Sequence, residues 1–269
     1  MTLLERYKFE EWCHDEWARS MSLDTLNPDR LFACPTTPEN SYALSLLGDL
    51  TDKRLLDIGC GSGESSVFFA KRGAFVQAVD IAHEMVDVTR RLAAKYQVNG
   101  RLQAVKMAVE DMEFADGTFD LIYGRDVLHH LDLNLAIPKI HRVLKLGGKA
   151  VFTEPLGHNP IIAVYRRLNK DLRTPYERPL TYQSIAAIRR FFRKVHHKEF
   201  QLSTLAIFLW FFFVERKHPG EVRYWKKIIE EADSYSRAFA LLHSLDEKLF
   251  KYLPFLQRYC WITVIELLK

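Results

Sequence analysis

Apolar and polar positions along the chain switch repeatedly between two periods. Short apolar runs at 55–58, 74–80, 101–106, 118–123 and 149–153 read as strands, whereas 64–72, 82–97 and 133–145 carry helical spacing, the last despite Pro138. This alternation predicts an α/β domain with a parallel, doubly wound sheet and a ligand crevice outside the carboxyl ends of its strands. Further on, 161–170 and 181–190 read as helices, 195–202 as a sixth strand and 260–267 as a seventh. Between these last two strands lies an insertion of more than fifty residues, with the aromatic run 205–214 and a helical stretch from Arg223 to Leu253. A hairpin needs only a few residues there, so the insertion is extra core or a wall of an apolar acceptor pocket or dimer contact.

The N-terminal part reads as an appendage. Residues 3–20 have helical character, with Leu4, Tyr7, Lys8, Glu11, Trp12 and Asp15 at helical spacing. Pro28, Pro35 and Pro38 then punctuate an irregular connection, and Thr37 is placed to cap a helix running to Gly48. The expected division is a helical cap over the ligand edge at 1–50, a ligand-binding core at 51–157, and at 158–269 the rest of the same domain with its helical insertion on the substrate side.

The chemistry concentrates after the first strand, where Leu55, Leu56, Asp57 and Ile58 run into Gly59, Gly61 and Gly63. Glycines at this spacing allow tight curvature and close approach of a ligand to main-chain amides, and the helix that follows points its N-terminal dipole at the turn. Asp80 closes the second strand about 20 residues later, where an acid accepts hydrogen bonds from a ribose diol. Together these favour an adenosine-containing ligand. Glu64 stands where a dinucleotide fingerprint would place its third glycine.

At this point the chain resembles the class I S-adenosylmethionine-dependent methyltransferases. The resemblance is carried by 56–63 (Leu-Asp-Ile-Gly-Cys-Gly-Ser-Gly), Ala-Val-Asp at 78–80, the acidic turn at 110–122, Val-Leu-His-His-Leu at 127–131 and Val-Leu-Lys-Leu-Gly-Gly-Lys at 143–149. It covers about residues 38–155. It implies a Rossmann-like seven-stranded sheet and bound S-adenosyl-L-methionine, its methionine end on Asp57 and the glycines, its ribose on Asp80 and its adenine beside Ile81 and Val109. Met107-Ala108-Val109-Glu110 replaces the Gly-Asp-Ala-Glu common in relatives, which leaves main-chain groups at Val109 or the Glu110 side chain for the adenine amino group. Arg125 resembles the position whose backbone meets the methionine portion.

An activated methyl donor leaves the protein to align the acceptor, exclude water and, where needed, remove a proton. Candidate bases follow the fourth and fifth strands: His129 and His130, then Glu154 and His158. His158 leads because it lies in a crevice-side loop between Pro155 and Pro160, with His130 second; both also suit structural roles. His14 on the N-terminal helix, Arg173 and Tyr176 are candidate acceptor contacts, set against a solvated helix surface for the first and a proline-anchored loop for the other two.

Composition narrows the partners. The chain has 269 residues, 48% of them hydrophobic, enough for a full core, and its mild net charge of +4 includes basic clusters at 165–167 and 189–194 that read as solvated helix faces. No nucleic-acid partner is expected. Cys13, Cys34, Cys60 and Cys260 lack metal-ligand spacing, so no metal is expected and free thiols in a reducing, cytoplasmic compartment are. The apolar run 205–214 is far shorter than the roughly 20 residues of a membrane span. A homodimer is left open. The reading is methyl transfer to a small, apolar or aromatic metabolite, O-methylation ahead of C- or N-methylation; the alternatives are an NAD-dependent dehydrogenase and a non-catalytic, cofactor-binding regulatory protein.

Overall fold

The strand ahead of the glycines, β1 (Arg54–Ile58), is buried beyond its first residue and lies inside a sheet ordered β3-β2-β1-β4-β5-β7-β6. The computed structural model describes residues 3–170, 173, 174 and 176–269, and the architecture below refers to these. β1 pairs in parallel with β2 (Phe75–Asp80) on one side and β4 (Phe119–Arg125) on the other. β3 (Leu102–Lys106) and β5 (Leu144–Pro155) extend the parallel sheet outward. β6 (Lys194–Phe200) and β7 (Ile262–Leu268) pair antiparallel, and β7 inserts between β5 and β6. Strand order reverses between β1 and β4, which opens a crevice at their carboxyl ends.

Helices cover both faces. In chain order they are α1 (Leu3–Arg19), α2 (Pro28–Ala33), α3 (Pro38–Leu47), α4 (Glu64–Lys71), α5 (His83–Lys95) and α6 (Leu133–Val143). Then come α7 (Pro160–Leu168), α8 (Tyr182–Ile188), α9 (Ala206–Phe213), α10 (Tyr224–Glu230) and α11 (Ala232–Tyr252). Because side chains alternate along a strand, neighbours enter different layers. Leu55 joins Val76, Leu121 and the α4 residues Phe68 and Phe69. Leu56 instead joins Ile122, Phe152, Ile137 and Ile140 of α6, and Ile185 and Ile188 of α8.

Several elements differ from the sequence reading. The connection before Pro38 holds the short helix α2, capped by the Asn27 side chain, which accepts from Arg30 N at 3.1 Å. Thr37 precedes α3 as expected, but its hydroxyl donates to the Cys34 carbonyl instead of capping. β5 begins at Leu144, with a register shift between its pairings to Phe119 and Leu121. The exposed face of α1 also differs: Leu4 and Trp12, expected in an apolar stripe, are 60% and 58% exposed, while Glu10 and Ala18 are buried. This helix lies over the polar crevice, so its inner side is polar.

One side of the insertion joins the core. Phe208 and Phe211 of α9 are buried and meet Tyr224 at ring-centroid distances of 5.4 and 5.3 Å; Phe208 also meets Trp261 at 5.1 Å. Trp210 and Phe213 of the same run face outward. The insertion is tied to the sheet through the fully buried Asp246 of α11, whose carboxylate accepts from Leu202 N at 3.0 Å and Ser203 N at 2.8 Å, just after β6. Asp246→Ala strands both amides and should cost about 3 kcal/mol of unfolding free energy in urea titration. A loss under about 1 kcal/mol would show that this tie is not needed.

Candidate functional site

The glycine turn after β1 shows two different uses of glycine. Gly59, Gly61 and Gly63 all have positive φ, at 63°, 53° and 81°. A Cβ at Gly59 would lie 2.5 Å from Val127, and one at Gly63 would lie 2.6 Å from Thr89, so packing excludes side chains there. At Gly61 a Cβ would meet nothing within 4 Å, which leaves an open-sided cradle. Asp80 at the end of β2 fixes it: one carboxylate oxygen accepts from Gly61 N and the other from Ala82 N, both at 2.9 Å. An ionised carboxylate has about four lone-pair sites, so Asp80 keeps capacity for a ligand diol.

On the α3 side of the crevice, acids gather around one arginine. Asp57 is buried and accepts from the Ser66 hydroxyl at 2.5 Å. Burial pushes its carboxyl up to about 7, with Ser66 and Arg125 pulling the other way. Burial likewise raises Glu39 of α3 to about 7. Gln201 donates to one Glu39 oxygen at 2.9 Å, and the other has no partner. Arg125, at the end of β4, is 3.7 Å from Asp126; burial disfavours its charge, but Asp126, Tyr123, Glu64 and Asp57 more than restore it. Neutral acids facing a crevice suit an incoming cation.

Near the β3 end, Val109 is buried in a short 3-10 turn and Ile81 is half-buried beside Asp80. Glu110 is buried, pairs with Arg6 of α1 and accepts from Asp132 N at 3.0 Å. Its carboxylate therefore joins α1 to the turn before α6. The buried Tyr7 hydroxyl, without a hydrogen-bond partner, sits near it, and burial together with Glu110 and Asp111 raises its pKa.

α1 covers the carboxyl edge through further polar contacts. Lys106 at the end of β3 pairs with Glu11, and Asp15 accepts from Glu84 N at the start of α5 at 2.8 Å. Glu10 Oε1 accepts from Thr174 Oγ1 at 2.7 Å, and Glu10 Oε2 is 3.2 Å from His130 Nδ1. Burial disfavours both charges, but the pairing dominates: Glu10 is lowered and His130 raised. His14, one turn further along α1, is lowered by burial, and its ring meets that of His130 at 5.4 Å.

The comparisons with known proteins agree with this geometry. Residues 56–152 match the family model described as a methyltransferase domain. A ubiquinone biosynthesis O-methyltransferase of Xanthomonas oryzae pv. oryzae is 37% identical over 142 residues, 51% of this chain and 53% of that protein. A sarcosine/dimethylglycine N-methyltransferase of Halorhodospira halochloris is 33% identical over 107 residues, 39% of this chain and 38% of its own. The chain carries a class I S-adenosylmethionine-dependent methyltransferase domain. It spans about half the length of the first of these relatives. The fold is shared with a solved phosphoethanolamine N-methyltransferase 2 of Haemonchus contortus, at TM-score 0.60 and 20% identity over 86% of this chain and 52% of that one.

Within this methyltransferase domain the expected residues separate. Asp57, the three glycines, Asp80, Ile81, Val109 and Arg125 lie at or just beyond the carboxyl ends of β1, β2, β3 and β4. His130 and His14 meet under α1. His158 is held elsewhere: its Nε2 accepts from Tyr182 N at 3.3 Å, at the start of α8, and its ring stacks on Tyr182. That contact occupies the lone pair a base would use. Glu154 accepts from Val127 N, Leu128 N and His129 Nδ1, so it and His129 brace the turn after β4. Arg173 bonds Asn169 and Glu177, and Tyr176 packs edge-on against Phe9 of α1 at 5.4 Å. Glu10 and Glu39 were not among the sequence candidates; the i, i+4 spacing of Glu10 and His14 was the available signal for the first.

Asp57 and Glu39 are largely protonated below about pH 7, and a cation bound beside them favours the carboxylates. Binding of the cofactor's cationic end should therefore release protons, and affinity should rise with pH until about 7 and then level off. Calorimetry at about pH 6.5 in buffers of different ionisation enthalpy reads this directly. Identical binding enthalpies in all buffers would contradict it.

Proposed function

We propose that the chain transfers a methyl group from S-adenosyl-L-methionine to a hydroxyl of a small, apolar or aromatic metabolite. The observation that carries this reading is the Asp80 carboxylate fixed between Gly61 and α5 beside a glycine cradle left open on its outer side. The residues present fit the cofactor. Asp80 would take the ribose, Val109 and Ile81 the adenine, and Asp57 with the glycine turn and the Arg125 backbone the methionine end. The unpartnered, buried Glu39 oxygen lies among the charges around Arg125 and offers a further acceptor there.

When bound, the cofactor supplies a methyl group already activated on a sulfonium. The protein's own task is then alignment, exclusion of water and handling of the acceptor proton. α1 performs the exclusion, since its polar side closes the crevice through Arg6, Glu10, Glu11 and Asp15. On this reading the cluster of Glu10, His14 and His130, rather than His158, would act on an acceptor hydroxyl. O-methylation is favoured by the likeness to ubiquinone biosynthesis O-methyltransferases; the N-methyltransferase relative is the observation that favours a second reading, transfer to an amine. No helix among the described residues is long and apolar enough to cross a membrane.

Calorimetry with S-adenosylmethionine, its demethylated product and NAD tests the cofactor. The first two should bind and NAD should not; NAD binding alone would favour a dehydrogenase. Asp80→Asn should weaken cofactor binding by roughly 1.5–3 kcal/mol, the range for a hydrogen bond to a charged group. Asp80→Ala would also release the glycine turn and lower stability. With an accepted phenol, His130→Ala should lower turnover by about 100-fold at unchanged cofactor affinity. His158→Ala should keep turnover within about threefold, well short of the effect of losing a base. The reverse ranking would return the role to His158.

A further inference from the structure

On the inner side of α1, the buried Glu10 and the half-buried His14 and His130 meet without finding aligned hydrogen bonds. Glu10 Oε2, His130 Nδ1 and both ring nitrogens of His14 are shielded from water and lack such partners. They nonetheless converge. Glu10 Oε2 is 3.2 Å from His130 Nδ1 and 4.0 Å from His14 Nε2, and one ligand atom of each residue lies within 4.8 Å of the others. Leaving a buried polar group unsatisfied costs about 1–3 kcal/mol; the Glu10–His130 pair offsets part of this, but both His14 nitrogens stay without a partner, so the cluster calls for a shared one. A carboxylate and two imidazoles present lone pairs there, and a cation is what lone pairs share.

We propose that Glu10, His14 and His130 bind a divalent transition-metal ion of the zinc type. Metal bonds of about 2.0–2.2 Å at tetrahedral angles set ligand atoms roughly 3.3–3.6 Å apart, a spacing bracketed by the two distances from Glu10. Two imidazoles with one carboxylate suit zinc, cobalt or nickel, whereas magnesium and calcium take oxygen-rich sets.

The surroundings already hold these ligands in place. Glu10 Oε1 is fixed by the Thr174 hydroxyl, and the His130 ring lies 4.3 Å from that of His129, itself bonded to Glu154. Such outer contacts orient metal ligands. A neighbouring group of His129, His130 and Glu177 shares His130; His129, donating to Glu154 through Nδ1, keeps its Nε2 lone pair, but Glu177 is paired with Arg166 and Arg173. In the Glu10 group the carboxylate is free of arginine, and its contact to His130 is one that an ion would replace as His130 gives up its proton.

The ion would join two residues of α1 to the turn after β4 and latch the helix over the crevice. Three protein ligands also leave a fourth tetrahedral position open, the pattern of sites that act on a bound oxygen. That use, on an acceptor hydroxyl, rests on the methyl-transfer reading and would put the ion in place of His130 as the group that lowers the hydroxyl's pKa; the binding of the ion does not rest on it.

The test uses the full chain, stripped with a chelator, titrated with Zn²⁺ by calorimetry and with Co²⁺ by visible absorption, without cofactor or acceptor. One equivalent of Zn²⁺ should bind, and Co²⁺ should give the intense visible bands of a tetrahedral site. Glu10→Gln, close in shape to the native side chain, and His14→Ala should each weaken Zn²⁺ binding at least tenfold, while His83→Ala at an exposed α5 position should leave it unchanged. Absence of a stoichiometric ion, or equal affinity in Glu10→Gln and the native chain, overturns the proposal. If His14→Ala does not fold, Glu10→Gln and the cobalt spectrum decide. Neither readout involves S-adenosylmethionine, so failure of the metal site and failure of methyl transfer are separately visible.

Discussion

The Asp80 carboxylate is the constraint on which the rest of the site depends. It is the last residue of β2, and it spans from Gly61 in the turn after β1 to Ala82 at the start of α5. Two parallel strands are thereby locked at the edge where the strand order reverses. Around this point the demands are steric: Gly59 is pressed by Val127 and Gly63 by Thr89, and the Thr89 hydroxyl returns to bond the Gly61 carbonyl at 3.0 Å. The turn is thus held from β2, from α5 and from the segment after β4. Only its outer side at Gly61 remains open for a ligand.

α1 completes the site from the other direction. A helix that packs on an apolar core buries a leucine stripe, but α1 turns Arg6, Glu10 and His14 inward and leaves Leu4 and Trp12 in solvent. Its anchoring comes from charge pairs with Glu110, His130 and Lys106, and from Ala18 seated against Ala82, Met85 and Val88 of the α5 region. Charges paired in a half-buried crevice are worth more than the same pairs in water, and each is left costly if its partner moves away. A helix held this way covers a polar edge without a large apolar interface.

The sheet was legible because its strands are short apolar runs separated by helical spacing, and the cofactor side was legible because glycine at positive φ and an acid at a strand end are local requirements. The lid was less so. The spacing of Leu4, Tyr7, Lys8, Glu11 and Trp12 suggests an apolar face, yet a helix laid on polar groups reverses the usual relation between hydropathy and burial. His158 shows a similar limit: proximity to the fifth strand does not reveal that Tyr182, further along the chain, offers its amide to the ring. Glu154 illustrates the same limit, since an acid at a strand end can receive a ligand, as Asp80 is placed to do, or cap the adjacent turn. Distinguishing them requires knowing which amides lie opposite.

Hydrogen–deuterium exchange with and without the demethylated cofactor product tests this account most directly. Ligand seated in the Gly61 cradle beneath α1 should slow exchange in two separated stretches together: the glycine turn with the start of α5, and the amides of α1. Protection confined to other segments, with the glycine turn and α1 unchanged in the presence of bound ligand, would contradict it.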